Sequence, residues 1–119
     1  MRWYNILNQS LFEDKLTRPV IEVKRLRGCQ GQLHMDWDGR YSRKGTCDQN
    51  VLPYHNPTFG YKIELNHRFK TWRAFLETLA HEMVHQWQVE IIKDPTANHN
   101  KNFFGWREKF AKYKMQLGY

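Results

Sequence analysis

The sequence predicts an α+β domain, in which a small three-stranded sheet packs on a long central helix and further helices lie near both ends of the chain. Apolar residues recur with helical spacing near both ends and at residues 71–90, whereas in three stretches between the first and the long helix they alternate with polar residues. The chain has 119 residues, of which 40% are hydrophobic, so it can bury one modest core but hardly two. We therefore treat residues 1–119 as one domain.

A first helix is predicted for residues 5–16, where the apolar residues form a single face. Pro19 ends the pattern, because proline lacks the amide hydrogen that a continuing helix needs. The residues of this face are Ile6, Leu7, Leu11, Phe12 and Leu16.

Three short strands are predicted by alternation. Residues 20–26 (VIEVKRL) alternate Ile21 and Val23 with charged neighbours, and residues 32–37 (QLHMDW) and 61–66 (YKIELN) repeat the pattern. Residues 38–60 between the second and third strands show no sustained period, so we expect a long loop there. Its basic and aromatic side chains suit contact with nucleic acid or peptide, although a loop without any partner fits nearly as well.

The long helix begins near Thr71, whose hydroxyl can accept a hydrogen bond from its first amides, and ends near residues 93–100 (KDPTANHN). A last helix is predicted within residues 102–117. The apolar face of the long helix consists of Trp72, Phe75, Leu76, Leu79, Ala80, Met83, Val84 and Trp87.

Residues 81–85 of the long helix read HEMVH. His81 and His85 are one turn apart and project from the same side, so both can bind one zinc ion. Glu82 points away from that line and can act as general base toward a water bound to the ion. The alternative is an ordinary pair of polar helix residues, but they border a strongly apolar face, where histidines without partners would be costly.

A catalytic zinc site normally has a third protein ligand and leaves a fourth position for water. His99 follows a loop long enough for chain reversal, and it is our prediction for this ligand, with Glu108 or Asp94 as weaker substitutes. Glu90 lies about half a turn round the same helix and cannot converge. Ile91 stands where the metzincin pattern requires a histidine, which excludes that class.

The chain is strongly basic. Nineteen Lys and Arg residues oppose twelve Asp and Glu residues, which gives a net charge of +7. Such a surface attracts DNA through release of counterions, although a solvated basic face without a partner is an equally good interpretation. The predicted nucleic-acid contacts are Arg40, Arg43, Lys44, Arg68, Lys70 and Arg73.

The N-terminus lacks the continuous apolar core of a secretory signal, and no stretch is long and apolar enough to span a membrane. We therefore expect a cytoplasmic monomer without membrane contact, associated with the nucleoid, or located in the host cytoplasm if the source is viral. Cys29 and Cys47 are expected to be reduced in that compartment.

The stretch LAHEMVHQW, followed by HNKNFFGW, resembles the SprT-like (Spartan-related) family of zinc metalloproteases. In that family the second element normally reads His, Gly, two variable residues and Phe, which matches His99 and Phe103 but has Asn100 in place of glycine. Upstream, LNQSLFEDKL, VIEVKRL, CQG and YKIELN follow the family's order, so the resemblance covers nearly the whole chain.

The resemblance implies a zincin-like domain with zinc ligands His81, His85 and His99, general base Glu82, and protein substrates that are commonly attached to DNA, as in repair of DNA–protein crosslinks. The zinc ribbon of many members has no counterpart here, so we expect a minimal domain that holds DNA by its own basic surface. We also expect a substrate strand to pair with the sheet edge at residues 32–37.

Two other functions remain open at this stage. One is a nonenzymatic nucleic-acid-binding domain with a structural zinc, whose fourth ligand would be Cys29, Cys47 or a carboxylate. The other is a zinc hydrolase that acts on bonds other than peptide bonds.

Overall fold

The computed structural model describes residues 2–35, 60–94, 97 and 99–117, together with the backbone of residues 51–53. Four helices and four strands lie within these residues, and their type and order confirm the predicted α+β class. In chain order they are α1 (Arg2–Phe12), β1 (Val20–Val23), β2 (Gly31–Met35), β3 (Val51–Pro53), β4 (Tyr61–Leu65), α2 (Trp72–Glu90), α3 (Lys101–Phe104) and α4 (Arg107–Lys112).

The strands form one mixed sheet in the order β1-β4-β2-β3. β4 pairs in parallel with β1 and antiparallel with β2, and β2 pairs in parallel with β3. All three predicted strands are present, and β3 adds a fourth within the stretch predicted to be a loop. The sequence did not indicate β3, because three residues are too few for alternation to be recognised.

The position of β2 corrects one expectation about substrate binding. Over Leu33–Met35 this strand is paired on both sides, with Val51–Pro53 of β3 and with Tyr61–Ile63 of β4. A substrate strand therefore cannot add to the sheet there, since the hydrogen-bonding groups of the backbone are already used. The outer strands of the sheet are β1 and β3.

α1 ends at Phe12, four residues earlier than predicted. Glu13 and Asp14 adopt positive φ angles of 54° and 61°, which reverses the chain. The Asn8 side chain stabilises the reversal, since its amide donates to the Leu16 carbonyl at 3.0 Å and its oxygen accepts from the Leu16 amide at 3.2 Å. Leu16 thus reaches the core without belonging to the helix.

The core lies between the sheet and α2, which packs against β2, β4, α1 and α3. Thr71 caps α2 as predicted, and its hydroxyl accepts from the amide of Ala74 at 3.0 Å. The apolar residues of the core come from every helix, from the two central strands and from segments outside these elements: Tyr4, Leu7, Leu11, Phe12, Leu16, Leu33, Ile63, Leu65, Leu79, Ala80, Met83, Val84, Val89, Ala97, Phe103, Phe110 and Leu117. This packing holds α2 in a single position relative to the sheet.

The predicted last helix is divided into α3 and α4, which meet at Gly105 and Trp106. Phe103 and Phe110 are fully buried, so the two short helices follow the core surface. Within the described part of the chain, no helix combines the length and apolar character needed to cross a bilayer.

Cys29 is disulfide-bonded. The expectation of a reduced thiol is therefore wrong for this residue, and its partner lies outside the described residues. The bond was not evident from the sequence, because it depends on two distant positions approaching to within about 4.4–6.8 Å between Cα atoms.

Candidate metal centre

Three histidine side chains converge beside α2. His81 and His85 project from successive turns of this helix, and His99 approaches them from the segment before α3. The Nε2 atoms of His81 and His85 are 3.2 Å apart, and His99 Nε2 lies 3.2 Å from His85 Nε2 and 3.3 Å from His81 Nε2. The same nitrogen of each ring therefore faces a common point.

This triangle fits a tetrahedral metal ion. Two ligands at about 2.0–2.1 Å from zinc, separated by the tetrahedral angle, lie about 3.3 Å apart. The three Nε2 atoms have nearly that separation, so they can occupy three corners and leave the fourth to water or substrate. Imidazole nitrogens also suit zinc as a borderline-soft cation.

Burial favours the neutral form of His85 and His99, which is the form that binds metal. Burial, followed by the positive charge of His81, lowers the pKa of His85 to about 3. Burial also lowers the pKa of His99. Less proton competition for the ring nitrogens at neutral pH therefore favours metal binding.

Phe103 forms an aromatic support beneath all three rings. Its ring stacks on His85 at a centroid distance of 4.8 Å and meets His81 and His99 edge-on at 4.9 and 4.6 Å. Phe103 is fully buried, so the histidine rings rest on a surface that is itself fixed by the core.

Two amide side chains connect the α2 histidines to the segment that carries His99. His85 Nδ1 lies 3.0 Å from Gln88 Oε1, and Gln88 Nε2 donates to Asn100 Oδ1 at 3.2 Å. Because an amide oxygen only accepts, His85 Nδ1 carries the hydrogen and Nε2 presents its lone pair. The backbone of Ala97 is a second hydrogen-bond partner of His85.

Asn100 also caps α3, where its Oδ1 accepts from the amides of Asn102 and Phe103 at 3.1 and 3.3 Å. One oxygen thus joins Gln88 to the start of the helix that supports the rings. Sequence reasoning missed both amides as contributors to the site. The available signals were Gln88 three residues after His85, hence on its face of the helix, and an asparagine at a helix start.

Glu82 is buried, with 5% of its surface exposed, and burial raises its pKa to about 8. The start of β2 lies close against it. A Cβ atom at Gly31 would lie 3.2 Å from Glu82 Cγ and 2.9 Å from Thr78 Cγ2. Only glycine therefore fits at this position without displacing Glu82 or its neighbour.

The weaker ligand candidates do not join the cluster. Among the described residues, the group able to hold a metal consists of the three histidines, without Asp94 or Glu108. Glu90 points away as expected, and its carboxylate accepts hydrogen bonds from Thr17 and Gln86.

Three of the six predicted nucleic-acid contacts lie among the residues that the structure describes. Arg40, Arg43 and Lys44 lie outside the described residues. Arg68, Lys70 and Arg73 are exposed at the end of the β4–α2 connection and in the first turn of α2. None of these three belongs to the histidine cluster.

Comparison with protein families agrees with this geometry. The sequence model of the SprT-like family matches residues 1–117 of the 119-residue chain. Comparisons with curated proteins and with solved structures give no match.

Proposed function

Because the chain belongs to the SprT-like family, we propose that it is a zinc-dependent endopeptidase with His81, His85 and His99 as metal ligands and Glu82 as general base. The observation that carries the proposal is the triangle of three Nε2 atoms at 3.2–3.3 Å, with a buried carboxylate on the adjoining residue of the same helix. Among the described residues, that arrangement offers three metal ligands and a carboxylate at the residue next to one of them.

The role of each residue follows from its environment. When bound, zinc would polarise the scissile carbonyl and lower the pKa of the attacking water. Glu82 would accept the proton of that water and return it to the leaving amine. A nearby cation stabilises the ionised carboxylate, which counters the effect of burial on the pKa of Glu82.

A structural zinc site in a nonenzymatic binding domain is the alternative. It needs a fourth protein ligand, which blocks access of water to the metal. The metal group among the described residues has three members, and a disulfide-bonded Cys29 has no thiolate to offer. The endopeptidase is therefore the function that we favour.

Glu82→Gln tests the proposal. The variant should retain its fold and bind one equivalent of zinc, while cleavage of an unfolded protein substrate falls by about 10²–10⁴-fold. Glu108→Gln makes the same chemical change at an exposed position on α4 and should leave cleavage unchanged. If Glu82→Gln cleaves as fast as the parent, the general base is misassigned. If the zinc-loaded parent cleaves no substrate, the result favours the nonenzymatic binding domain.

We also propose that the substrates include proteins bound to DNA, because the basic surface of the domain would attract the DNA. The support is the net charge of +7, with Arg73 exposed beside the start of α2. Association with a short duplex should weaken steeply between low and moderate salt, because bound counterions are released. A flat response to salt would remove the electrostatic basis of this proposal.

A further inference from the structure

A cavity of about 460 Å³ lies beside the first half of α2. One wall is helical, another is the turn before β2, and the remainder is the connection between β4 and α2. The lining residues are Gln30, Arg68, Phe69, Lys70, Ala74 and Thr78.

The cavity lies on the same side of α2 as the metal ligands. With 100° per residue, Ala74, Thr78, His81 and His85 fall within a sector of about 60° of the helix surface. Thr78 also lies against the position of Gly31, which borders Glu82. A chain held at the metal centre and running toward the N-terminus of α2 would therefore enter the cavity.

The distance along α2 between the cavity and the metal ligands corresponds to a definite number of substrate residues. The midpoint of Ala74 and Thr78 is seven residues from that of His81 and His85, which is about 10 Å along the helix axis. An extended peptide advances about 3.3 Å per residue. A side chain in the cavity would thus belong to a residue about three positions from the scissile bond.

The charge of the cavity indicates its ligand. Arg68 and Lys70 are exposed, and neither side chain has an ion pair or hydrogen bond within the residues that the structure describes. Phe69 between them packs edge-on against Phe75 at 5.4 Å, which anchors the backbone that carries both cations. Gln30, in the turn before β2, also lines the cavity and brings a polar side chain to it. These groups suit a carboxylate.

We propose that this cavity is a substrate subsite for an aspartate or glutamate side chain about three residues from the scissile bond. The inference rests on the proposed peptidase function. It assigns Arg68 and Lys70 to peptide recognition, so that any DNA contact of the domain would use other cations. A peptide is favoured over nucleic acid because the cavity lies on the same side of α2 as the metal ligands, where a bound substrate chain would run.

Cleavage of a peptide series tests the subsite. Each peptide carries Glu at one position on either side of a single cleavable bond, with Gln and Lys at that position as matched peptides. We expect kcat/KM for Glu to exceed that for Gln by about tenfold at one position near the third residue, and at no other. That ratio corresponds to one partly exposed charge-assisted contact.

The double variant Arg68→Gln/Lys70→Gln should remove the preference for Glu while cleavage of the Gln peptide persists. Arg73→Gln removes a neighbouring cation outside the cavity and should keep the preference. Arg68→Glu should reverse the preference toward Lys. A parent protein that cleaves Glu and Gln peptides equally at every position overturns the subsite and leaves the peptidase function intact.

Binding measurements separate the two proposals if no peptide is cleaved. In that case the peptidase function fails, and fluorescent Glu and Gln peptides are titrated into zinc-loaded Glu82→Gln protein. Tighter binding of the Glu peptide that depends on Arg68 and Lys70 supports the subsite, whereas equal binding overturns it. If the double variant instead loses affinity for a single-stranded oligonucleotide and keeps its peptide preference, the cavity serves nucleic acid and the inference is wrong.

Discussion

Replacement of Gln88 by methionine tests whether its amide positions the metal ligands. Gln88 is fully buried, and hydrogen bonds of its side chain join His85 to Asn100. Methionine has a similar shape, but its thioether is only a weak acceptor toward His85 and cannot donate to Asn100. The variant should therefore leave the core filled while it removes the connection between α2 and the segment that carries His99.

The magnitude follows from the bonds that remain. Loss of a hydrogen-bond partner behind a metal-bound histidine typically reduces metal affinity by about 10–100-fold. His85 keeps a hydrogen bond to the backbone of Ala97, and Asn100 keeps its bonds to the amides of α3. We therefore expect the lower end, about a tenfold increase in the Kd for zinc, together with a loss of stability of about 1–3 kcal/mol for the two hydrogen bonds that the substitution removes.

Gln86→Met is the matched control. Gln86 is equally buried on the same helix, but its amide binds Tyr4, Thr17 and Glu90 instead of the metal ligands. It should lose stability without losing zinc affinity. Zinc affinity is measured by competition with a chromophoric chelator, and stability by thermal unfolding of the metal-free proteins. Equal zinc affinity in Gln88→Met and the parent, or an equal loss in both variants, would refute the positioning role.

Four further predictions concern the surroundings of the site. Gly31→Ala would place a methyl group 2.9 Å from Thr78 Cγ2 and against Glu82, so we expect cleavage to fall at least tenfold with zinc binding retained. Unchanged cleavage would show that β2 shifts to admit the methyl group without disturbing Glu82. Phe103→Ala should lower the free energy of unfolding by about 3–5 kcal/mol and weaken zinc binding, whereas Phe103→Leu should restore most of both, as measured by chemical denaturation and chelator competition. In metal-free Glu82→Gln protein, stability should fall as the pH drops from about 7 toward 5, because the pKa of His85 is lowered in the folded state and the unfolded chain takes up the proton first. Metal-free parent protein should also lose stability relative to this variant as the pH rises from about 4.5 to about 8, because the unfolded chain releases the Glu82 proton over this range while the raised pKa keeps it bound in the folded state; parallel stability curves for the two proteins would contradict this.

Features that depend on neighbouring residues were predicted correctly from the sequence, whereas features that depend on distant residues were not. The capping of α2 by Thr71 was predicted correctly, because a cap depends on residues within one turn. The end of α1 was predicted four residues too late, because Leu16 keeps the helical spacing of apolar residues while Asn8 binds its backbone after a chain reversal. β3 was not predicted at all, since its three residues take their extended form from pairing with β2.

The same contrast between local and distant features applies to the candidate site. That His81 and His85 share a face, and that Glu90 turns away, is determined by the sequence alone, because the pitch of a helix relates residues four and nine positions apart wherever the helix lies. The sequence also indicated His99, by its place after a loop of suitable length. Only the tertiary structure decided that its Nε2 meets the other two at 3.2–3.3 Å.

The tertiary structure likewise decided that Gln88 and Asn100 bridge the two segments, that Phe103 lies beneath the three rings, and that Gly31 leaves room for Glu82. Each of these contacts joins residues from different elements, and their distances depend on how the core packs α2 against the sheet and against α3. Helical periodicity describes one element at a time, so the two ligands on α2 could be derived from the sequence, whereas the surroundings that hold them in place arise from the fold.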